Sequence, residues 1–121
     1  VNAIGSYKDL EVWKQSMDLC QNVYSLTAGF PANEMYGLTS QVKRAVISIP
    51  SNIAEGASRN STKEFIHFLY IANGSLSELE TQLELGVRLN FINERQLPVE
   101  QIKHIRKMLI NLIKALKNKL K

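Results

Sequence analysis

The sequence is poor in the residues that most often carry chemistry. It holds one cysteine, Cys20, and two histidines, His67 and His104, in 121 residues. A lone cysteine leaves no disulfide within the chain and no cysteine-based metal site. It points to a reducing compartment, so the expected location is cytoplasmic. No apolar run approaches the roughly 20 residues needed to cross a bilayer. Val1 to Leu10 lacks a basic region followed by an apolar stretch, so no secretory signal is expected. A glycine-rich phosphate loop is missing, as is any nucleophile motif.

Glu64 and His67 have the Glu-x-x-His spacing of di-iron bundles. One copy occurs where that design needs two, and on a helical wheel both residues face away from the neighbouring apolar seam. Cys20 falls in an apolar seam and reads as a small hydrophobe rather than a reactive thiol. No metal, cofactor or catalytic residue is therefore assigned, and the chain reads as a non-enzyme.

What is present is helical periodicity. Hydrophobic residues make up 45% of the chain, and Pro and Gly are few, which argues against disorder. The length suits one domain, residues 1–121, burying about two-thirds of the surface of the unfolded chain. The pattern predicts an all-α, antiparallel up-down-up-down four-helix bundle joined by short connections. The first helix is expected over Asp9–Ala28, with Asp9 as its N-cap. A second follows from Asn33 or Glu34 to Ala57 and continues through Pro50, with a kink there. A third spans Thr62–Asn90 behind a Ser61–Glu64 capping box. The last starts near Pro98 and reaches about Lys119. Expected core seams are Phe65, Leu69, Ala72, Leu76, Leu79, Leu83 and Gly86 or Val87 on the third helix, and Ile102, Ile105, Leu109, Leu112, Leu116 and Leu120 on the fourth.

The first helix has two apolar seams, centred roughly 115° apart. One is Leu10, Trp13, Met17, Cys20 and Tyr24. The other is Val12, Leu19, Val23 and Leu26, with Ser16 in its gap. A bundle helix ordinarily needs one stripe, so the second seam, with Ile110 of the fourth helix, is assigned to an interface between subunits. The competing reading is a helix buried more deeply than usual.

Polar residues form two further groups. Gln41, Arg44, Ser48, Ser51 and Glu55, with Asn52 beside them, keep helical register along the second helix. Glu78, Glu80 and Glu84 of the third are placed to face them. The expected polar network is Gln41, Arg44, Ser48, Asn52, Glu55, Glu78 and Glu80, either structural or a partner surface. Charge is the second signal. Residues 1–100 carry eight Lys or Arg against eleven Asp or Glu, whereas residues 101–121 carry seven and no acid. On the last helix Lys103, Lys107, Lys114 and Lys121 fall within about 40°, flanked by Arg106 and Lys117. Such a stripe can track a phosphate backbone. No aromatic interleaves with it, so base stacking is not expected.

Specific segments then resemble a known family. They are Tyr7–Lys14, Gly37–Ala45, Ser48-Ile49-Pro50-Ser51-Asn52-Ile53-Ala54-Glu55-Gly56, Glu64-Phe65 and Ala72–Glu80. Together they resemble the four-helix-bundle proteins encoded in intervening sequences of bacterial 23S ribosomal RNA genes. The resemblance covers nearly the whole chain. It implies a ring-like homopentamer. A related branch, the accessory proteins of diversity-generating retroelements, binds nucleic acid and a reverse transcriptase, which makes RNA or DNA and such a protein the implied partners. Family members commonly have Ala-Arg-Gly-Ser where this chain has Ala72-Asn73-Gly74-Ser75, so one positive charge is lost from the third helix. The expected function is a non-enzymatic homo-oligomer that binds nucleic acid through its basic C-terminal helix. The alternative is an adaptor that binds another protein through the polar face of the second and third helices.

Overall fold

A computed structural model describes residues 6–121. Four helices form an antiparallel bundle: α1 (Glu11–Thr27), α2 (Leu38–Ala57), α3 (Thr62–Arg88) and α4 (Val99–Lys119). No strand occurs among the described residues. The expected fold class is the observed one.

The helix ends show which local signals prevailed. Asp9 does not cap α1. It closes a 3₁₀ turn, Tyr7–Asp9, in which the Ser6 hydroxyl accepts from Lys8 N–H and the Asp9 carboxylate accepts from Ser6 N–H. Leu10 then occupies the cap of α1 with no side-chain bond. A second 3₁₀ turn at Ala32–Glu34 delays the start of α2 to Leu38, whose N–H the Glu34 carboxylate accepts at 3.0 Å. Ser61 caps α3 by accepting from Glu64 N–H. The Glu64 carboxylate turns to Arg59, at 3.6 Å, instead of completing the box. At the other end of α3, Asn90 adopts φ 64°, and Phe91 N–H reaches back to the Gly86 carbonyl at 2.8 Å. This left-handed stop ends the helix before Asn90, where the apolar pattern had carried it.

Pro50 lies inside α2 and is buried, and the helix continues through it. A proline has no N–H, so the carbonyl four residues earlier loses its helical donor. That carbonyl belongs to Val46. The Cys20 thiol of α1 donates to it at 3.3 Å. The half-buried cysteine thus replaces a missing backbone bond and ties α1 to α2.

The core runs the length of the bundle. Leu19, Val23, Val42, Val46, Ile49, Ile53, Leu69, Leu76, Leu79, Ile105 and Leu109 are fully sealed from solvent. On α4, Ile113 is buried, Leu112 is half-buried and Leu120 is exposed, so the seam is rotated slightly from the expected one. Ile66 likewise takes the core position expected of Phe65. Helices α2 and α3 approach closely at Gly56, where a methyl group would lie 2.7 Å from Phe68 Cβ.

Candidate nucleic-acid interface

Arg106 and Lys117 of α4 reach α3, and Lys103 and Lys107 share a surface with Glu80 of α3. Lys103, Lys107, Lys114, Lys117 and Lys121 are exposed, and Arg106 is half-buried. These six are not equivalent. Arg106 is spent inside the molecule: one guanidinium nitrogen donates to Asn73 at 3.0 Å and Ser77 at 3.1 Å, and the other pairs with Glu80. The planar fork spreads its donors over two nitrogens, a geometry that the single nitrogen of a lysine ammonium does not reproduce. Arg106 therefore clamps α4 to α3 and is not available to a polyanion. The clamp also accounts for Asn73: an arginine there would bring a second guanidinium against the first. Lys103 lies 4.0 Å from Glu100, but both side chains are largely solvated and the pair is weak. Among the described residues, Lys107, Lys114 and Lys121 form no ion pair.

Lys117 has a partner that the order of residues along the chain conceals. Its ammonium sits 5.1 Å from the ring centroid of Tyr70, on α3. An aromatic does adjoin the basic stripe, supplied by the neighbouring helix. Tyr70 lies off the apolar seam of α3 and opens toward α4. Only the pairing of the two helices brings it to the lysines.

The polar network forms in part, with different partners. Ser48 and Ser75 hydroxyls meet at 2.7 Å across α2 and α3, and Asn52 donates to the Ser48 hydroxyl and carbonyl at 2.9 and 2.8 Å. Ser75 belongs to this cluster and was missing from the expected set. Glu55 pairs with Arg59, one turn ahead on the same chain, at 2.9 Å, and Glu80 pairs with Arg106. Gln41, Arg44 and Glu78 are exposed, and no ion pair joins Arg44 to a carboxylate among the described residues. The ion pairing expected between α2 and α3 is therefore replaced by a neutral hydroxyl–amide cluster. Arg59 wins Glu55 by proximity.

The expected subunit interface on α1 requires correction. Val12, Leu19 and Val23 are buried within the chain's own core, and Leu26 is half-buried. Val12, Leu19 and Val23 are closed off from another subunit while the bundle is folded, and only the partly exposed Leu26 keeps an outward edge. The outward seam is the other one: Met17 and Tyr24 are 42% and 41% exposed, Met17 shares a groove with Ile47 of α2, which is 45% exposed, and the Tyr24 ring lies under Lys43. Trp13, Met17, Cys20, Ile47, Pro50 and Tyr7 line a shallow groove of about 340 Å³ there. The deeper-burial alternative thus describes the Val12–Leu26 seam. Ile110 on α4 is exposed.

No group of three or more histidine, cysteine or acidic side chains is gathered to hold a metal among the described residues. No helix there is long and apolar enough to cross a membrane.

Fold and surface together define a small antiparallel four-helix-bundle protein with one strongly basic helix. The chain belongs to the 23S rRNA-intervening sequence protein family, whose model matches it over residues 8–114. A similar solved structure is a protein of unknown function from the S23 ribosomal protein family of Bacteroides thetaiotaomicron VPI-5482, known at 1.70 Å resolution. It is 29% identical, with a TM-score of 0.73, and the match covers 85% of this chain and 98% of that one. No curated protein matches the sequence.

Proposed function

We propose that this protein is a non-enzymatic, cytoplasmic homo-oligomer that binds nucleic acid electrostatically through α4. The observation that carries the reading is the row of Lys103, Lys107, Lys114 and Lys121. All four are exposed, and no acid follows Glu100 in the sequence. Four lysines on phosphates would release about four counterions, so log affinity should fall with log salt at a slope of about −3 to −4. The contacts are to phosphate, so duplex sequence should matter little.

Fluorescence anisotropy against structured RNA and duplex DNA over a range of salt tests this. Lys107→Glu with Lys114→Glu should weaken binding by more than about tenfold and flatten the slope by roughly two. Absent binding at low salt, or affinity indifferent to salt, refutes the reading.

Self-association is part of the same proposal. A homopentamer is what the family resemblance implies, and Met17, Tyr24 and Ile47 are the apolar surface the folded α1–α2 side has available. A second reading, an adaptor docking through α2 and α3, is favoured by Gln41, Arg44 and Glu78, which stand exposed on that face. Recovery of a protein partner that survives nuclease treatment would support it; a reverse transcriptase is the partner the resemblance suggests.

A further inference from the structure

Phosphate contacts hold a duplex and a single strand alike, whereas a base-stacking surface tells them apart. Helix α4 carries no phenylalanine, tyrosine or tryptophan. Helix α3 supplies the missing ring. Tyr70 is 49% exposed and lies under the Lys117 ammonium. Arg106, bonded to Asn73 and Ser77, fixes the antiparallel register of the two helices. Tyr70 precedes Asn73 by about one turn, which sets it beside the part of α4 that continues through Lys114 and Lys117 toward Lys121. Lys63, seven residues before Tyr70, is exposed on the same side of α3.

The nearby carboxylates are accounted for. Glu64 points toward Arg59, and Glu80 is held by Arg106. What remains is an exposed ring under one lysine ammonium, with further exposed lysines along α3 and the C-terminal end of the chain.

We propose that Tyr70 is a base-stacking platform, and that Lys63, Tyr70, Lys114, Lys117 and Lys121 together bind an unpaired polynucleotide strand. This deepens the reading that α4 binds nucleic acid and rests on it. A base stacks on Tyr70 by displacing Lys117. The exchange is favourable because a cation–π contact at an exposed site is weaker than a base–aromatic stack. The released ammonium then meets a phosphate. Bases in a duplex are already stacked on each other, so a duplex gains only the phosphate contacts.

The test is an anisotropy titration of the full chain at low salt with two fluorescein-labelled probes. One is an oligothymidylate of about 16 nucleotides, the other a duplex of the same length. Tyr70→Ala is expected to lower affinity for the single strand about tenfold and for the duplex by less than about twofold. Tyr70→Phe keeps the ring and should bind both probes as the parent does. Far-ultraviolet circular dichroism checks that each variant folds; if Tyr70→Ala does not, Tyr70→Leu serves in its place. Equal loss for both probes, or no loss for either, overturns the stacking role while leaving electrostatic binding intact. Failure of the parent chain to bind either probe overturns both proposals.

Discussion

Two glycines in neighbouring helices should respond in opposite directions to the same substitution. At Gly56 an added methyl would meet Phe68 Cβ at 2.7 Å, Phe65 Cδ1 at 3.0 Å and the Phe65 carbonyl oxygen at 3.3 Å. The first and last of these atoms are fixed to the α3 backbone, so no rotamer change relieves them. Helix α2 must move away from α3. Overpacking of this kind costs about 1–3 kcal/mol. Replacing glycine by alanine inside a helix gives back up to about 1 kcal/mol, and less here because Gly56 is next to the end of α2. The net expectation is a loss of about 1–2 kcal/mol, or a fall in Tm of about 4–8 °C for a domain of this size. At Gly74, in the middle of α3, nothing lies within 4 Å of the new methyl. Gly74→Ala should therefore gain about 0.4–1 kcal/mol and raise Tm by about 2–4 °C. Thermal melts followed by circular dichroism, with urea titrations as a second measure, decide the matter. A Gly56→Ala variant as stable as the parent would refute the close approach of α2 and α3. A destabilised Gly74→Ala would show a neighbour over that face that the single chain does not contain.

Three other perturbations follow from the packing. Arg106→Ala strips Asn73, Ser77 and Glu80 of their shared donor and should cost about 1 kcal/mol, since the site is part-exposed and screened. Arg106→Lys should recover little of this in urea titration, because an ammonium cannot reproduce the fork. Leu19→Ala should cost about 2–5 kcal/mol. That deficit should be the same at high and low protein concentration, and a concentration-dependent deficit would return Leu19 to an interface. Burial pushes the Cys20 thiol from 9.0 up to about 11. Its alkylation by iodoacetamide near pH 8 should then be slower than that of an unfolded control by on the order of 100-fold. The folded state holds this proton more tightly, so the associated stability is full below pH 9 and is lost as pH rises through about 11. Stability that is flat across that window would contradict the burial.

The bundle was legible because its helices are long and their apolar repeats regular. Local chemistry blurred their ends: Asp9 and Glu34 both have capping side chains, but each serves a 3₁₀ turn or the helix beyond it. The orientation of α1 was not legible. Both of its seams are apolar enough to be core, and the choice falls to how α2 packs against them. The bond between Cys20 and the carbonyl orphaned by Pro50 helps hold α1 in the observed rotation. The stripe of lysines on α4 could be read from spacing alone. That Arg106 is withdrawn from it, and that Tyr70 joins it, depends on which face of α3 lies alongside.

Proline and cysteine are 30 positions apart in the sequence, yet in the folded chain they act as one unit. The thiol hydrogen is the only part of Cys20 that the Val46 carbonyl can use. Oxidising the sulfur, or capping it with a bulky reagent, removes that hydrogen and sets two electron-rich atoms against each other. Damage at one sulfur would then loosen the seam between the first two helices, beside the groove that Trp13, Met17 and Ile47 line. Restoring an N–H by Pro50→Ala should make the chain indifferent to the same injury.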